Sequence, residues 1–297
     1  MIEIVFLGTS AMAPTKERNH SSFFLRRERD CMLFDCGEGT QRQIRIAGIN
    51  PQKISEIFIT HWHGDHVLGL PGLIQTLGAQ GYKNTLKIFG PEGTKEKVEA
   101  LFKIFPFEAT IDYEVYENKE GIVKETDDVV IKAYKLNHSV SCFGYRFEEK
   151  DRYRILKSKL KEHKIEEGPH LNKLLEEKKI IYEGREIRLE DVSEIRKGKV
   201  IGYISDTKMC DNAYKIAENC DLLISESTYS DEDAKKAEDY MHLTASQAAE
   251  IAKTSNSKSL ILTHFSQRYL SAGQLVKEAK NIFENTKAAY DFMKVKI

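Results

Sequence analysis

His61-Trp62-His63-Gly64-Asp65-His66 places three imidazoles and a carboxylate within six residues, directly after the apolar run Ile57-Phe58-Ile59-Thr60. A short apolar run bounded by polar residues reads as a strand buried in a sheet. The cluster then sits at a strand's C-terminal end, where α/β proteins gather their chemistry. Neutral imidazole and carboxylate are metal-ligating groups. Crowded onto one loop, they suit two neighbouring divalent ions that turn water into hydroxide at neutral pH. Packing alone offers little reason for three histidines beside an aspartate.

The same local context recurs along the chain. His138 follows Tyr134-Lys135-Leu136, Asp206 follows Gly202-Tyr203-Ile204-Ser205, and His264 follows Leu260-Ile261-Leu262-Thr263. Taken singly, a histidine after a strand is more often a surface or capping residue, and an aspartate there a turn or N-cap. Their repetition predicts four strands whose C-terminal ends deliver ligands to one sheet edge. The set divides into His61, His63 and His138 for one ion and Asp65, His66 and His264 for the other, with Asp206 between them. Imidazole and carboxylate without thiolate suit two Zn2+ per chain, and would also accept Mn2+ or Fe2+.

The surrounding pattern predicts a layered α/β protein. Strands are expected at Ile4 to Leu7, Ser22 to Leu25, Met32 to Phe34, Leu86 to Phe89, Val129 to Leu136, Val200 to Ser205, Leu222 to Ser225 and Leu260 to Thr263. Met293 to Ile297 reads as a closing edge strand. Helical stretches fall at Thr94 to Ile104, Asn212 to Glu218, Ser246 to Lys253 and Ala272 to Phe283. Residues 150–199 break the pattern, being dense in charge and sparse in apolar side chains. Their first part, from Arg152 to Lys161, is strongly basic. This stretch is expected to contribute little core and to project as an insertion from a single domain spanning 1–297.

With 297 residues, the chain is long enough for a sizeable core. A formal net charge of −1 gives no global attraction to polyanions, so a nucleic-acid partner needs a local basic patch. The five cysteines form no CxxC pair and no framework, which reads as reduced thiols. The N-terminus reads as a first strand, and no apolar stretch approaches the ~20 residues that span a bilayer. A cytoplasmic location without membrane contact is expected.

Taken together, these motifs resemble the metallo-β-lactamase superfamily, whose signature is H-x-H-x-D-H, and within it the ribonuclease Z family of tRNA 3′-processing endonucleases. Pro14-Thr15-Lys16-Glu17-Arg18-Asn19 fits that family's P-x-K-x-R-N loop, and His242-Leu243-Thr244 stands where its short form has a His-Ser-Thr loop. His138, Asp206 and His264 match the remaining ligands in order and context. The insertion with Gly168-Pro169 is similar to the family's flexible tRNA-gripping arm. The resemblance implies a four-layer αββα sandwich with a protruding arm. It also implies a homodimer in which one subunit's arm holds precursor tRNA, rather than DNA, for the partner's active site. The implied reaction is cleavage after the discriminator base, leaving a tRNA 3′-OH and a 5′-phosphate on the trailer.

Residue roles follow as expectations. Asp65 orients the attacking hydroxide or accepts its proton while ligating a metal. His242, just before the T-x-x-Q capping box at Thr244, protonates the departing 3′ oxygen; the plainer reading is a loop residue beside a helix cap. Glu226 either orients His242 or is a buried structural carboxylate. Lys16, Arg18, Asn19, Thr244 and Arg268 are candidates for substrate contact, against the commoner fate of ordinary surface residues. Arg152, Arg154, Lys157, Lys159 and Lys161 are expected to track an RNA backbone, the alternative being a solvated helix face. Two rival functions share parts of this pattern. A hydrolase of small esters or cyclic phosphodiesters on the same fold would keep every metal ligand, and a non-catalytic RNA-binding protein would keep only the arm.

Overall fold

The computed structural model describes residues 1–105 and 111–297. Strands β1 (Ile2–Gly8), β2 (Ser22–Arg27), β3 (Asp30–Phe34), β4 (Glu56–Phe58), β5 (Leu86–Gly90) and β6 (Tyr113–Glu117) form most of the first sheet. β7 (Gly121–Glu125), β8 (Val129–Leu136) and β9 (Cys142–Glu149) open the second. Four short strands follow in the insertion: β10 (Arg152–Ile155), β11 (Lys179–Tyr182), β12 (Arg185–Arg188) and β13 (Ser193–Arg196). The chain then returns through β14 (Val200–Ile204), β15 (Leu222–Glu226), β16 (Leu260–Thr263), β17 (Thr286–Ala288) and β18 (Lys294–Lys296).

Among the described residues these strands make two seven-stranded sheets, ordered β18-β1-β2-β3-β4-β5-β6 and β17-β16-β15-β14-β9-β8-β7. β18 is the expected edge strand, pairing antiparallel with β1. Period-two alternation sorts each strand's side chains into two buried faces. Ile2, Ile4 and Phe6 face the second sheet and join Ile131, Tyr145, Tyr203 and Ile224 in the central core. Val5 and Leu7 point the other way, toward Ile44, Leu70, Leu73 and Leu77 of the outer helices. On the far side, Ile204, Leu223 and Leu262 pack against Ile216, Ala248, Ile251 and Leu275. The result is an αββα sandwich.

A row of aromatic rings fixes how the sheets meet. Phe23, Phe34, Phe58, Phe89 and Tyr116 stack across neighbouring strands with centroids 4.7, 5.1, 4.6 and 4.9 Å apart. Tyr145 and Tyr203 from the opposite sheet meet this row edge-on. Offset and edge-to-face arrangements of this kind add specific geometry to apolar burial. Both tyrosines also carry a polar tip into the site end of the sandwich: Tyr203 donates to Asp35 Oδ2 at 3.0 Å and Tyr145 to the Ile59 carbonyl at 2.6 Å.

The insertion departs from expectation in one respect. Residues 150–199 carry their own apolar cluster, with Leu160, Ile165, Leu174, Ile180, Ile187, Leu189 and Val192 all buried. β10 pairs with β13 at its root and β11 with β12 as a hairpin at 179–188. It is a small folded arm. Leu171, Leu174 and Leu175 give the helix His170–Glu177 an apolar stripe at helical spacing, and the remaining apolar residues are spread over several short elements.

Candidate metal centre

The strands that precede the ligand-bearing loops share one direction within each sheet, so their C-terminal ends meet at one edge of the sandwich. β3, β4 and β5 are parallel, as are β14, β15 and β16. β8 is antiparallel to β9, which is antiparallel to β14, so β8 shares the direction of the latter. His61 to His66, His138, Asp206 and His264 therefore converge although they are far apart in the chain.

The convergence is tight. His61 Nε2 lies 3.1 Å from His63 Nδ1, which lies 3.3 Å from His138 Nε2. Asp206 Oδ2 faces this group, 3.6 Å from His61 Nε2 and 3.9 Å from His138 Nε2. On the other side, His66 Nε2 and His264 Nε2 are 3.2 Å apart, and Asp65 Oδ2 is 3.5 and 3.4 Å from them. Asp206 Oδ1 faces this second group, 3.6 Å from His66 Nε2 and 3.4 Å from His264 Nε2. One carboxylate thus offers one oxygen to each set. A tetrahedral ion with bonds of ~2.1 Å holds its ligands roughly 3.4 Å apart, so both clusters have the spacing of a coordination shell. Both also fall among the groups whose donor atoms lie close enough to share an ion.

Outer partners fix the tautomers. Asp35, at the end of β3, accepts from His66 Nδ1 at 2.8 Å, from the Thr60 amide at 2.8 Å and from Tyr203. Thr60 Oγ1 contacts both Asp35 and His61 Nδ1, each at 3.0 Å. His264 Nδ1 meets Thr228 Oγ1 at 2.9 Å, and that hydroxyl donates to Glu226 Oε2 at 2.6 Å. His138 Nδ1 donates to the Met241 carbonyl at 3.1 Å. In each case a proton placed on Nδ1 would leave Nε2 to ligate, the usual outer-shell arrangement of metal histidines. Asp35 and His264 both hold left-handed backbones, with φ of 56° and 58°. Such conformations persist where surrounding structure enforces them.

Electrostatics suit a cation. Burial, reinforced by neighbouring imidazoles, drives His61 well below its ordinary pKa, and burial lowers His138 too, so both favour the neutral ligating form. Burial opposes ionisation of Asp206, but His264, His66 and His61 outweigh it and hold the carboxyl well below its usual range. Asp65 behaves likewise: burial opposes ionisation, and His66 and His264 outweigh it. For His66 the desolvation penalty is overcome by Asp206, Asp65 and Asp35, which raise its pKa. An anionic cluster that pulls a proton onto a buried imidazole is one that attracts positive charge.

The site opens into a cleft of about 720 Å³ lined by Met12, Leu68, Tyr229, Tyr240, His242 and Arg268 together with the ligand groups. His242 stands at its wall, with its ring 5.3 Å from His138 and 5.5 Å from His264. Glu226 Oε1 lies 3.0 Å from His242 Nδ1. Burial lowers the pKa of His242, but Glu226 prevails and pushes it up to about 9.

The sequence aligns along its whole length with proteins of one kind. It is 42% identical to the ribonuclease Z of Methanothermobacter thermautotrophicus over 298 positions, covering 100% of this chain and 97% of that protein. It is also 42% identical to the ribonuclease Z of Bacillus subtilis (strain 168), covering 100% and 99%. The chain belongs to the ribonuclease Z family. Residues 15–150 also match the metallo-β-lactamase superfamily. The fold agrees with the crystal structure of human tRNase Z, short form, with a TM-score of 0.73 and 28% identity over 99% of each chain.

Several residues expected at the substrate make contacts within the protein. Arg18 Nη1 donates to the Tyr269 carbonyl at 2.8 Å and its guanidinium lies 5.0 Å from the Phe265 ring centre, so it braces the segment after His264. Asn19 donates through Nδ2 to the Glu38 carbonyl and through its amide to Asp291. Thr244 is buried and its Oγ1 accepts from the Gln247 amide, while Gln247 accepts from the Thr244 amide, completing the expected capping box. Leu243 is fully buried in the outer core. Lys16 is exposed. Arg268 does line the cleft, held by Asp233 at 3.2 Å.

In the arm, Arg152 is held at the root by Glu28, Glu149 and Asp128, at 3.1, 3.1 and 3.5 Å. Lys159 donates to the Ser193 carbonyl. Arg152 and Lys159 therefore stabilise the arm's attachment and interior. Arg154 and Lys157 are exposed beside Glu194 and Glu167, and Lys161 is exposed. Sequence reasoning missed Asp35, Thr60 and Thr228. Asp35 had the same signal as His138, a ligand-type residue directly after the apolar run Met32-Leu33-Phe34.

Proposed function

We propose that this chain is a divalent-metal-dependent endoribonuclease that removes the 3′ trailer from precursor tRNA. Its products are tRNA with a 3′-OH and a trailer with a 5′-phosphate. The observation that carries the reading is Asp206, one oxygen toward each ligand cluster, in a chain that aligns end to end with ribonuclease Z proteins. His61, His63 and His138 with Asp206 Oδ2 would hold one ion, and Asp65, His66 and His264 with Asp206 Oδ1 the other. The ligand chemistry favours Zn2+, with Mn2+ or Fe2+ as substitutes. Two such ions, when bound, supply an acidified water at neutral pH and neutralise charge on the phosphoryl oxygens.

The chain's own residues do the rest. Asp65, fixed by the Met12 amide at 2.8 Å, is placed to orient the attacking water and receive its proton. His242, kept protonated by Glu226, is placed to give a proton to the departing 3′ oxygen of the tRNA. Arg268 on the cleft wall contributes a positive charge toward the phosphate backbone. The arm, with its exposed Arg154, Lys157 and Lys161, is assigned to tRNA held away from the scissile bond, serving the partner subunit's cleft in a homodimer. Among the described residues no helix is long and apolar enough to cross a membrane, and all five cysteines are free; a cytoplasmic setting fits both.

The test is a 3′-extended tRNA incubated with metal-loaded protein, with product ends mapped. Cleavage after the discriminator nucleotide, leaving 3′-OH and 5′-phosphate ends, is expected. An uncut precursor alongside brisk hydrolysis of a small ester or cyclic phosphodiester would overturn the assignment.

A further inference from the structure

Tyr240 is a large aromatic side chain that stays 62% exposed while lining the catalytic cleft. Its position is fixed by the backbone around it. It ends the helix Ala234–Tyr240, and the next residue, Met241, adopts a left-handed φ of 59° and gives its carbonyl to His138 Nδ1. The ring is therefore tied, through one peptide unit, to a candidate metal ligand.

Tyr240 does not stand alone. The ring of Tyr229, only 7% exposed, lies nearly parallel to it at 20°, with centroids 6.5 Å apart. The Arg268 guanidinium sits 5.1 Å from the Tyr229 ring centre, anchored by Asp233 at 3.2 Å and by Ser266 Oγ at 3.2 Å. Tyr229 is also 6.0 Å from His242, centroid to centroid. An exposed ring, a buried ring backing it and a fixed planar cation thus occupy one wall of the cleft, beside the proton donor. Neither the metal ligands nor the proton donor need this wall for chemistry.

Unpaired nucleobases are bound in this way: aromatic faces stack on the base while a neighbouring cation attends to the backbone. We propose that Tyr240, supported by Tyr229 and Arg268, is a stacking subsite for the base of the nucleotide immediately 5′ of the scissile phosphate. The inference rests on the endoribonuclease reading above. The side follows from His242: the residue that protonates the 3′ oxygen lies beside the nucleotide that owns that oxygen, and Tyr240 is joined to it through Tyr229, whose ring lies 6.5 Å from Tyr240 and 6.0 Å from His242. The site takes any base with an exposed face and favours purines, whose larger faces stack better.

The experiment pairs protein and substrate changes. Single-turnover kcat/KM is measured for the wild-type protein, Tyr240→Ala and Tyr240→Phe, on precursor tRNA carrying either its natural last tRNA nucleotide or an abasic one there. Tyr240→Ala is expected to lose roughly 5- to 100-fold on the natural substrate, the range of a single base stack. The abasic substrate should cost the wild-type protein a similar factor, and the two losses should not multiply. Tyr240→Phe, which keeps the ring, should retain wild-type behaviour, and thermal unfolding of each variant checks that the fold is intact. Losses that multiply, or a Tyr240→Ala variant as fast as wild type on the natural substrate, would overturn the subsite. An abasic nucleotide on the trailer side that alone cancels the Tyr240→Ala effect would overturn its placement. A natural precursor left uncut by the wild-type protein would overturn the ribonuclease reading, and this inference with it.

Discussion

Glu226 Oε1 stands 3.0 Å from His242 Nδ1, and the same carboxylate reaches His264 through Thr228. A single buried acid therefore orients both the candidate proton donor and a candidate ligand of the second ion. Its remaining hydrogen-bonding capacity is filled by the Thr207 amide at 2.8 Å and the Thr228 amide at 3.3 Å.

With His242 as the proposed acid, this pairing is expected to set the pH dependence of catalysis. A raised His242 pKa means the imidazole is protonated at neutral pH, and activity is lost as pH rises through that value. Ions bound alongside pull the value down from about 9. Glu226→Gln removes the charge that raises it, so the alkaline limb of single-turnover kcat should move to lower pH, toward the ordinary imidazole range. His242→Ala should lower kcat by ~10²–10⁴ with KM for precursor tRNA changed only a few-fold. An unmoved limb in Glu226→Gln, or a loss confined to KM in His242→Ala, would count against His242 as the acid.

Asp35 holds His66 directly and His61 through Thr60, so it supports both candidate ligand clusters at once. Asp35→Asn is expected to weaken binding of both ions by ~10–100-fold, as measured by competition with a chelator and metal analysis. Loss of one ion with the other unaffected would show that the Thr60 link carries no weight.

The arm can be loosened without touching its charges. Leu174 is fully buried in the arm's own cluster. Leu174→Ala should cost ~2–5 kcal/mol locally and expose residues 156–192 to protease before the sandwich is cut. KM for precursor tRNA should rise and its steep salt dependence should flatten, while turnover of a small phosphodiester stays unchanged. A parallel fall in small-diester turnover would mean that the arm also shapes the cleft.

Gly8 ends β1 against the His20 backbone. A Cβ built there would lie 1.7 Å from the His20 carbonyl oxygen, which no rotamer change relieves. His20 Nε2 contacts the Met12 carbonyl at 3.0 Å, and the Met12 amide donates to Asp65. Gly8→Ala should therefore destabilise by ~1–3 kcal/mol or more and disturb Asp65 as well. Thermal unfolding and metal content read the two effects, and wild-type values for both would disprove the steric argument.

The centre of the fold was legible because its residues obey local rules. The run Ile57-Phe58-Ile59-Thr60 and its counterparts before His138, Asp206 and His264 are short, apolar and followed by ligand-type residues, and those ligand-type residues do meet in space. The structure shows Glu226 fully buried and also 3.0 Å from His242 Nδ1, so both features the sequence raised for it are present. Other features depend on distant partners and left no local signal. Arg18 and Asn19 look like surface residues until the Tyr269 carbonyl and Asp291 come to meet them. Thr228 matters only because Glu226 and His264 flank it in space. The β6 and β7 strands lie at sheet edges, carry exposed Glu114, Glu117 and Glu125, and lack the long apolar run that marks a central strand. Tyr240 looked unremarkable in sequence, since its exposure beside a cleft is a property of the tertiary structure alone.

In the second sheet, Glu148 of β9 lies opposite Val200 of β14, and the Glu149 amide donates to the Lys199 carbonyl at 2.8 Å. Topologically the residues between them are the loop of an antiparallel hairpin, grown into a small body of its own. Entry and exit lie side by side, and the arm is tied to the sandwich at its root through Arg152. The segment can be lengthened, shortened or exchanged wholesale for another with the same footing, leaving the strands beneath in register. If the arm grips tRNA as proposed, choice of RNA and cleavage of RNA can diversify on separate schedules within one polypeptide.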